Sequence, residues 1–386
     1  MLLVYTRRIV ATGEMVYETL SSIEELDPLE TEWDELVHAM PKPTPFLLHG
    51  WVMAWLQHYA DDAEPAIHVA RRDGRLVAAL PLVIRRQFGL RIASFVGDDR
   101  PFVDVLLAPS EGLETARALA DYAAQSHDCA SLSMISAESA IAQTCGKRLR
   151  LVPRVSAPVL DISGGFEQAY YERFSSKKRH EHDRRRRKLA ELGKVEFVLA
   201  KTTEELAPAL EEAFMLHALR WQDQFDGSTF RSEKGMTFNR EALRVLAEDD
   251  ISRILTLRLD DRAIAFTYYF LICKRMYRYR DGWDPAYARF GPGILTELVS
   301  IERASEEGAT VVEHLGGTER YKLEFSSRVE GLYTGIGLNG SIRGSAYSKI
   351  EVLTLASRTR LKRSQTLRKL YLEHVAPHLQ NRHQSR

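Results

Sequence analysis

Cysteine is scarce. The 386 residues include only Cys129, Cys145 and Cys273, at unrelated spacings. That supports neither a disulfide framework nor a Cys/His zinc site, so no metal site is expected. Cys273 ends an apolar run and is expected to be a small buried hydrophobe. Long apolar runs are also missing. The longest, Ala263–Cys273, has 11 residues, against the roughly 20 that a membrane helix needs. The first residues place their charge after the apolar stretch, unlike a secretory leader, so a cytoplasmic location is expected. Low-complexity tracts are absent, and net charge cancels, with 53 Lys/Arg against 53 Asp/Glu.

What the sequence does have is uneven charge. Lys177–Lys188 carries eight basic and two acidic residues, and Arg343–Arg386 carries ten and two. An acidic body with two basic patches suggests a polyanionic partner or the phosphates of a cofactor, set against a solvated helix face and a basic tail. At 45% hydrophobic residues the chain can build two cores, and its length fits two domains and a tail.

Hydrophobic spacing in the second half gives a strand at Val195–Leu199, helices from Thr203 to Trp221 and Ser232 to Ala247, and a meander of Ile251–Leu259, Ala263–Cys273 and Met276–Tyr279. A helix at Ile294–Glu307, a strand at Thr310–Leu315, a helical turn near Glu319–Phe325 and a strand at Leu332–Leu338 follow. A weaker copy of this order, about 180 residues earlier, includes helices over Ile23–Met40, Pro45–Tyr59 and Gly112–Ser126 and a hairpin about Asp73-Gly74. The order predicts an internal duplication in an α/β (α+β) fold. Its parts are an N-terminal domain over 1–165, a C-terminal domain over 166–345 and a basic amphipathic helix over 346–386. The apolar positions of that last helix are Ile350, Leu353, Leu361, Leu367, Leu370, Tyr371 and His374.

The stretch with the most chemical content is Tyr277–Leu295, YRYRDGWDPAYARFGPGIL. A strand runs into a glycine turn that opens a helix, which aims backbone N–H groups and the positive helix end at one spot suited to phosphate oxygens. Gly291 and Gly293 permit close approach, and Pro292 suits a helix start. Arg289, Gly291, Gly293 and Ile294 are therefore the candidate cofactor-binding residues.

Element order and turn resemble the GNAT acyltransferase fold, whose pyrophosphate motif reads Gln/Arg-x-x-Gly-x-Gly/Ala. Here the motif falls on Ala288-Arg289-Phe290-Gly291-Pro292-Gly293, with alanine at the first position. Four segments more closely resemble the CelD-like, cellulose-biosynthesis-associated branch, itself similar to Fem-type aminoacyl transferases: Trp33…Pro45-Phe46…Trp51…Trp55, Ser176-Lys177-Lys178-Arg179…Arg185-Arg186, Tyr279-Arg280-Asp281-Gly282-Trp283-Asp284, and Gly316-Gly317…Tyr321-Lys322.

The resemblance implies an N-acyltransferase with its working site in the second half. Acetyl-CoA or another acyl-CoA would be the donor, and an amine of a small molecule or of an envelope or polysaccharide precursor the acceptor. Transfer needs a base, a donor to the carbonyl oxygen and an acid for the leaving thiolate. The base candidates are Asp281, Glu313 and His314; the last two are adjacent on one strand and cannot both face the cleft. Tyr321 is the candidate acid, and backbone N–H groups of Tyr277–Asp281 are the carbonyl donors. Lys178, Arg179, Arg185 and Lys322 are candidates for phosphate or carboxylate binding, and Tyr279 for a substrate wall. Two alternatives are an aminoacyl-tRNA donor and a non-catalytic protein that docks on a polyanion or an anionic membrane through the C-terminal helix.

Overall fold

The computed structural model describes residues 10–12, 15–97, 100–221 and 230–363. The first half contains β1 (Val10–Thr12), β2 (Met15–Leu20), α1 (Ile23–Leu26), α2 (Glu30–Ala39), α3 (His49–Tyr59), β3 (Glu64–Arg72), β4 (Arg75–Gln87), β5 (Leu90–Phe95), β6 (Leu106–Leu107), α4 (Leu113–Ala123), β7 (Cys129–Ser136), α5 (Ala140–Cys145) and β8 (Leu149–Asp161). Two helices, α6 (Phe166–Arg173) and α7 (Ser176–Ala190), connect it to the second. That half has β9 (Val195–Ala200), α8 (Thr203–Arg220), α9 (Glu233–Glu248), β10 (Ser252–Leu259), β11 (Arg262–Ile272), β12 (Arg275–Trp283), α10 (Pro292–Glu306), β13 (Val311–Glu313), α11 (Arg320–Glu324), β14 (Arg328–Gly337) and α12 (Ile342–Arg363).

The duplicated order is present. Apart from the two-residue β6, the first half from α2 to β8 runs helix, helix, three antiparallel strands, helix, strand, helix, strand, and α8 to β14 repeats it. Each copy contains one short parallel pair, β5 with β7 and β12 with β13. The copies are not side by side, however. The strands form one mixed, mainly antiparallel sheet in the order β1-β2-β3-β4-β5-β7-β14-β8-β13-β12-β11-β10-β9, with β6 on β4. Each half has therefore exchanged its last strand: β8 pairs with β13, and β14 pairs with β7. The two exchanged strands pair with each other along ten registered positions.

The strand β8 escapes the hydrophobic-periodicity reading because Pro153 and Pro158 interrupt it, and proline normally marks an edge strand. Here a bulge opposite Leu332/Tyr333 takes up the irregularity at Pro153. The strand β2 was likewise not expected.

The largest core cluster spans both halves. Trp51 of α3 packs edge-on against Phe238 of α9 (5.1 Å between ring centroids) and against Phe270 of β11 (5.8 Å). On the other face, α10 and α6 cover Leu255, Tyr269, Met276 and Val312. Cys273 is exposed, contrary to expectation. It and Lys274 both take positive φ in the β11–β12 turn, which turns the side chain away from the core.

Helix α12 begins at Ile342 and turns Val352 inward, against Ile92, Cys129 and Ile336. Ile350 and Leu353, expected on its apolar side, face outward and are exposed. Leu367, Leu370, Tyr371 and His374 lie outside the described residues. No described helix is long and apolar enough to cross a membrane.

The exchange makes a prediction. Chains 1–165 and 166–386 are expected to give soluble, folded protein only when produced together, because each leaves an inner strand of the other unpaired. A fragment 166–386 that unfolds cooperatively by itself would show that the exchange is dispensable.

Candidate active site

The parallel pairing of β12 with β13 covers only Arg275↔Val311, Met276↔Val312 and Tyr277↔Glu313. The strand β13 then ends, while β12 continues to Trp283 with β11 as its partner on the other side. The register opposite β11 slips between Tyr268↔Arg280 and Tyr269↔Arg278, so Tyr279 is the extra residue of a bulge. The result is an open notch edged by the β12 backbone from Arg278 onward.

A buried polar cluster fills the floor of the notch. Arg278 on β12 places Nη1 2.9 Å from Glu297 Oε1 of α10 and Nη2 3.3 Å from Asp281 Oδ2. His314, just past β13, accepts from Arg278 through Nδ1 (3.2 Å) and donates from Nε2 to the Phe325 carbonyl (2.8 Å). The Tyr321 hydroxyl, on α11, donates to Asp281 Oδ2 at 3.5 Å. The side chains of Arg278, Glu297 and His314 are 4%, 2% and 0% exposed, and that of Asp281 is 29% exposed. The cluster therefore reaches solvent at the Asp281 end.

Burial, with the Arg278 charge beside it, holds the His314 pKa well below the imidazole range, so the ring is neutral. Burial and the Asp281 charge push the Tyr321 hydroxyl upward, so it keeps its proton. Burial pushes Glu297 up to about 7, opposed by Arg278 and reinforced by Asp281.

Of the candidate site residues, the structure brings Asp281, Tyr321 and His314 together. Glu313 points to the opposite face, as strand alternation requires. It is fully buried there between Lys42 Nζ (2.9 Å) and Arg275 Nη1 (2.8 Å). Tyr279 is 3% exposed, packed on Trp51 (5.6 Å) with its hydroxyl donating to Asn239 (2.9 Å), so it belongs to the aromatic core. Lys322 donates to the Gly316 carbonyl (2.9 Å) and ties down the Gly316-Gly317 loop.

The glycine turn lies at the end of the notch. Gly291 is left-handed (φ 63°, ψ 48°) and caps α10, with Pro292 at the first helical position. The turn uses the Gly291 N–H on the Ala288 carbonyl and the Ile294 N–H on the Gly291 carbonyl. Helix α7 lies against it, and a Cβ on Gly291 would collide with the Arg185 guanidinium. A Cβ on Gly293 would press on the Trp283 ring at 3.0 Å. Arg185 also pairs with Glu181, and Lys178 lies 3.6 Å from Glu324. Arg179 turns back to the Tyr171 and Phe174 carbonyls at the end of α6. Arg289 is exposed over the Phe290 ring (4.6 Å).

The first half's counterpart, at the start of α4, carries acids instead. Glu111 accepts from Arg72 and Thr115, and the Glu114 carboxylate fills the space beside Gly112. A helix start occupied by two carboxylates repels phosphate.

Sequence reading missed Arg278 and Glu297. The alternation of YRYR could have placed Arg278 opposite the buried tyrosines. Glu297 was the harder one, a single acid among Leu295, Thr296, Ser300 and Ile301 that only burial marks as unusual. Among the described residues no group of acids, histidines or cysteines is placed to hold a metal.

Residues 176–323 match the family described as an acetyltransferase (GNAT) domain. No curated protein matches the chain. Among solved structures the fold resembles FemX (TM-score 0.57, 11% identity, covering 79% of this chain and 95% of that one). It also resembles the C-terminal DUF2156 domain of a putative lysylphosphatidylglycerol synthetase from Agrobacterium fabrum (TM-score 0.51, 13% identity, 86% and 97%). A conserved protein of unknown function from Bacteroides thetaiotaomicron is similar as well (TM-score 0.55, 12% identity, 83% and 99%). At these identities the likeness is one of fold.

The Glu297 environment sets a pH dependence. A carboxyl whose folded pKa lies above its unfolded value of 4.5 stabilises the fold as the neutral acid. That contribution is complete below 4.5 and is lost as pH rises through about 7. Glu297→Gln is therefore expected to match the wild type near pH 5 and to exceed it by about 1–3 kcal/mol at pH 8. Denaturant titrations at the two pH values measure this; a gap that does not change with pH contradicts it.

Proposed function

We propose that the second half is an N-acyltransferase that takes an acyl group from an acyl-CoA, acetyl-CoA first among them, and passes it to an amine in the notch between β12 and β13. The observation that carries this reading is the Asp281–Tyr321 pair at the mouth of that notch, held from beneath by Arg278, Glu297 and His314. The glycine turn fits the phosphates of coenzyme A. Arg185 stands against Gly291 and the Trp283 ring against Gly293, so neither position has room for a Cβ and Arg185 supplies a charge beside the turn.

In the proposed reaction Asp281 accepts the proton of the attacking ammonium, directly or through water. The amine nitrogen then bonds to the thioester carbon as the carbon–sulfur bond breaks. Tyr321 supplies a proton to the departing thiolate and recovers one from Asp281 across their hydrogen bond, and the second proton on the acylated nitrogen leaves to solvent, giving the amide and the free thiol. Backbone N–H groups on the free edge of β12 receive the carbonyl oxygen. An acceptor in envelope or polysaccharide assembly rests on the CelD-like motif resemblance.

One second reading has an observation of its own. Ala288 offers the carrier no side chain, while Arg184, Arg186, Arg187 and Lys188 are exposed along α7. An extended basic face suits an aminoacyl-tRNA donor better than one pyrophosphate. Docking on an anionic membrane draws on outward Ile350 and Leu353 beside Lys349 on α12.

Thermal stabilisation separates the three. Acetyl-CoA is expected to raise Tm in proportion to ln(1 + [L]/Kd). Binding of tRNA with steep salt dependence and no response to coenzyme A would favour the second donor. Sedimentation with anionic vesicles alone would favour docking. With a competent donor–acceptor pair, Asp281→Asn is expected to lower kcat by about a hundredfold or more and Tyr321→Phe by about tenfold or more, with Tm little changed. Full activity in both variants would remove them from the chemistry.

A further inference from the structure

Arg100 of the first half lies over two aromatic rings that belong to different halves, Trp51 (5.6 Å to the centroid) and Tyr279 (5.1 Å). No carboxylate among the described residues pairs with it. Beneath it, Trp51 is fully buried, and its indole N–H finds no acceptor. That N–H lies beside Gly97. A Cβ on Gly97, which has a φ of 92°, would sit 3.6 Å from Trp51 Nε1 and 3.5 Å from Arg100 Cγ. A second guanidinium, that of Arg280, lies 4.8 Å from the centroid of the same Tyr279 ring. Among the described residues, this corner therefore holds a guanidinium over two rings and a buried indole N–H without an acceptor.

Protein interiors rarely leave a buried donor without an acceptor, and guanidinium groups without a carboxylate are well suited to planar or tetrahedral oxyanions. Position matters as much as charge. Tyr279 is the bulge residue of β12, and its backbone lies on the free edge of the notch where the acyl carbonyl would lie. Its ring points to the α8/α9 face of the sheet, away from α10 and the glycine turn. An anion held by Arg100 is therefore across the strand from the glycine turn, on the side proposed for the acceptor.

We infer that Arg100, together with the indole N–H of Trp51, binds an anionic group, phosphate or carboxylate, on the amine that accepts the acyl group. This rests on the acyltransferase reading, and it gives the first half a role in choosing the substrate. The acceptor class is then an amine whose nitrogen is separated by a short linker from a phosphate or carboxylate.

The test titrates the full chain with O-phosphoethanolamine, β-alanine and ethanolamine, which share a primary amine and differ in the anion. Calorimetry is run on the wild type, Arg100→Gln, Arg100→Ala and Arg100→Lys. The wild type is expected to bind one or both anionic amines at least about tenfold more tightly than ethanolamine, as loss of a charge-assisted hydrogen bond implies. The stronger of the two identifies phosphate or carboxylate. Arg100→Gln and Arg100→Ala should abolish the preference, Arg100→Lys should restore part of it, and the response to coenzyme A should be the same in all four proteins. Equal binding of the three amines by the wild type overturns the inference, as does an anion preference that survives in the Gln and Ala variants. A wild type that ignores coenzyme A but still selects anionic amines through Arg100 would sink the carrier reading and leave this site standing.

Discussion

The functional geometry depends on how little of β12 is paired with β13. A longer parallel pair would close the sheet and leave no notch. Pairing stops at Tyr277↔Glu313 because the chain leaves β13 there: Leu315 takes a left-handed conformation (φ 58°), and the Gly316-Gly317 loop carries it to α11. What keeps β13 in place despite so short a contact is its other neighbour. The strand β8 from the first half pairs with it at all three positions, so the notch stays open on one side because an exchanged strand supports the other. Gly316 reinforces this, since a Cβ there would be 3.2 Å from both Met134 and Val155 of the first half. The first half is thus part of the scaffold that holds the notch open, whether or not it binds anything.

A notch lined by backbone donors must also keep a charged floor from collapsing into it, and the Arg278 cluster meets that demand. Burying a guanidinium without compensation costs several kcal/mol. Arg278 has two carboxylate partners of different character, Glu297 sealed beneath and Asp281 at the surface. His314 contributes an acceptor without a charge, because Arg278 and burial both disfavour its protonation. Among the described residues, both contacts of Asp281, from Arg278 and from Tyr321, fall on Oδ2.

Much of this could be read from the sequence, and the limits have physical causes. The duplication, the meander and the glycine turn were legible because apolar periodicity and Gly/Pro placement are local. The alternation of Glu313 and His314 was legible for the same reason. The strand exchange was not, because no local property of Leu149–Asp161 tells which half it will pair with, and its two prolines argue against a central strand. Tyr279 looked like a substrate wall because a tyrosine on a strand beside a motif has no visible burial; the Trp51 and Phe46 rings that enclose it come from another half of the chain. Glu297 was invisible for a related reason. A helix position with helical spacing reads as core, and only the partner across the layer, Arg278, shows why an acid occupies it.

The cluster also bears on how the proposed reaction would balance its charge. Two ionised carboxylates around one buried guanidinium repel each other, and Asp281 is one of the causes that raise the Glu297 pKa. When Asp281 takes a proton from the attacking amine that repulsion disappears, and ionised Glu297 becomes the better counter-ion for Arg278. Arg278 therefore need never be left unpaired as the proton arrives at Asp281 and departs through Tyr321. The buried acid and the surface acid both face one cation, Arg278. A floor of this kind lets the surface carboxylate change its charge while the fold beneath it keeps its electrostatic balance.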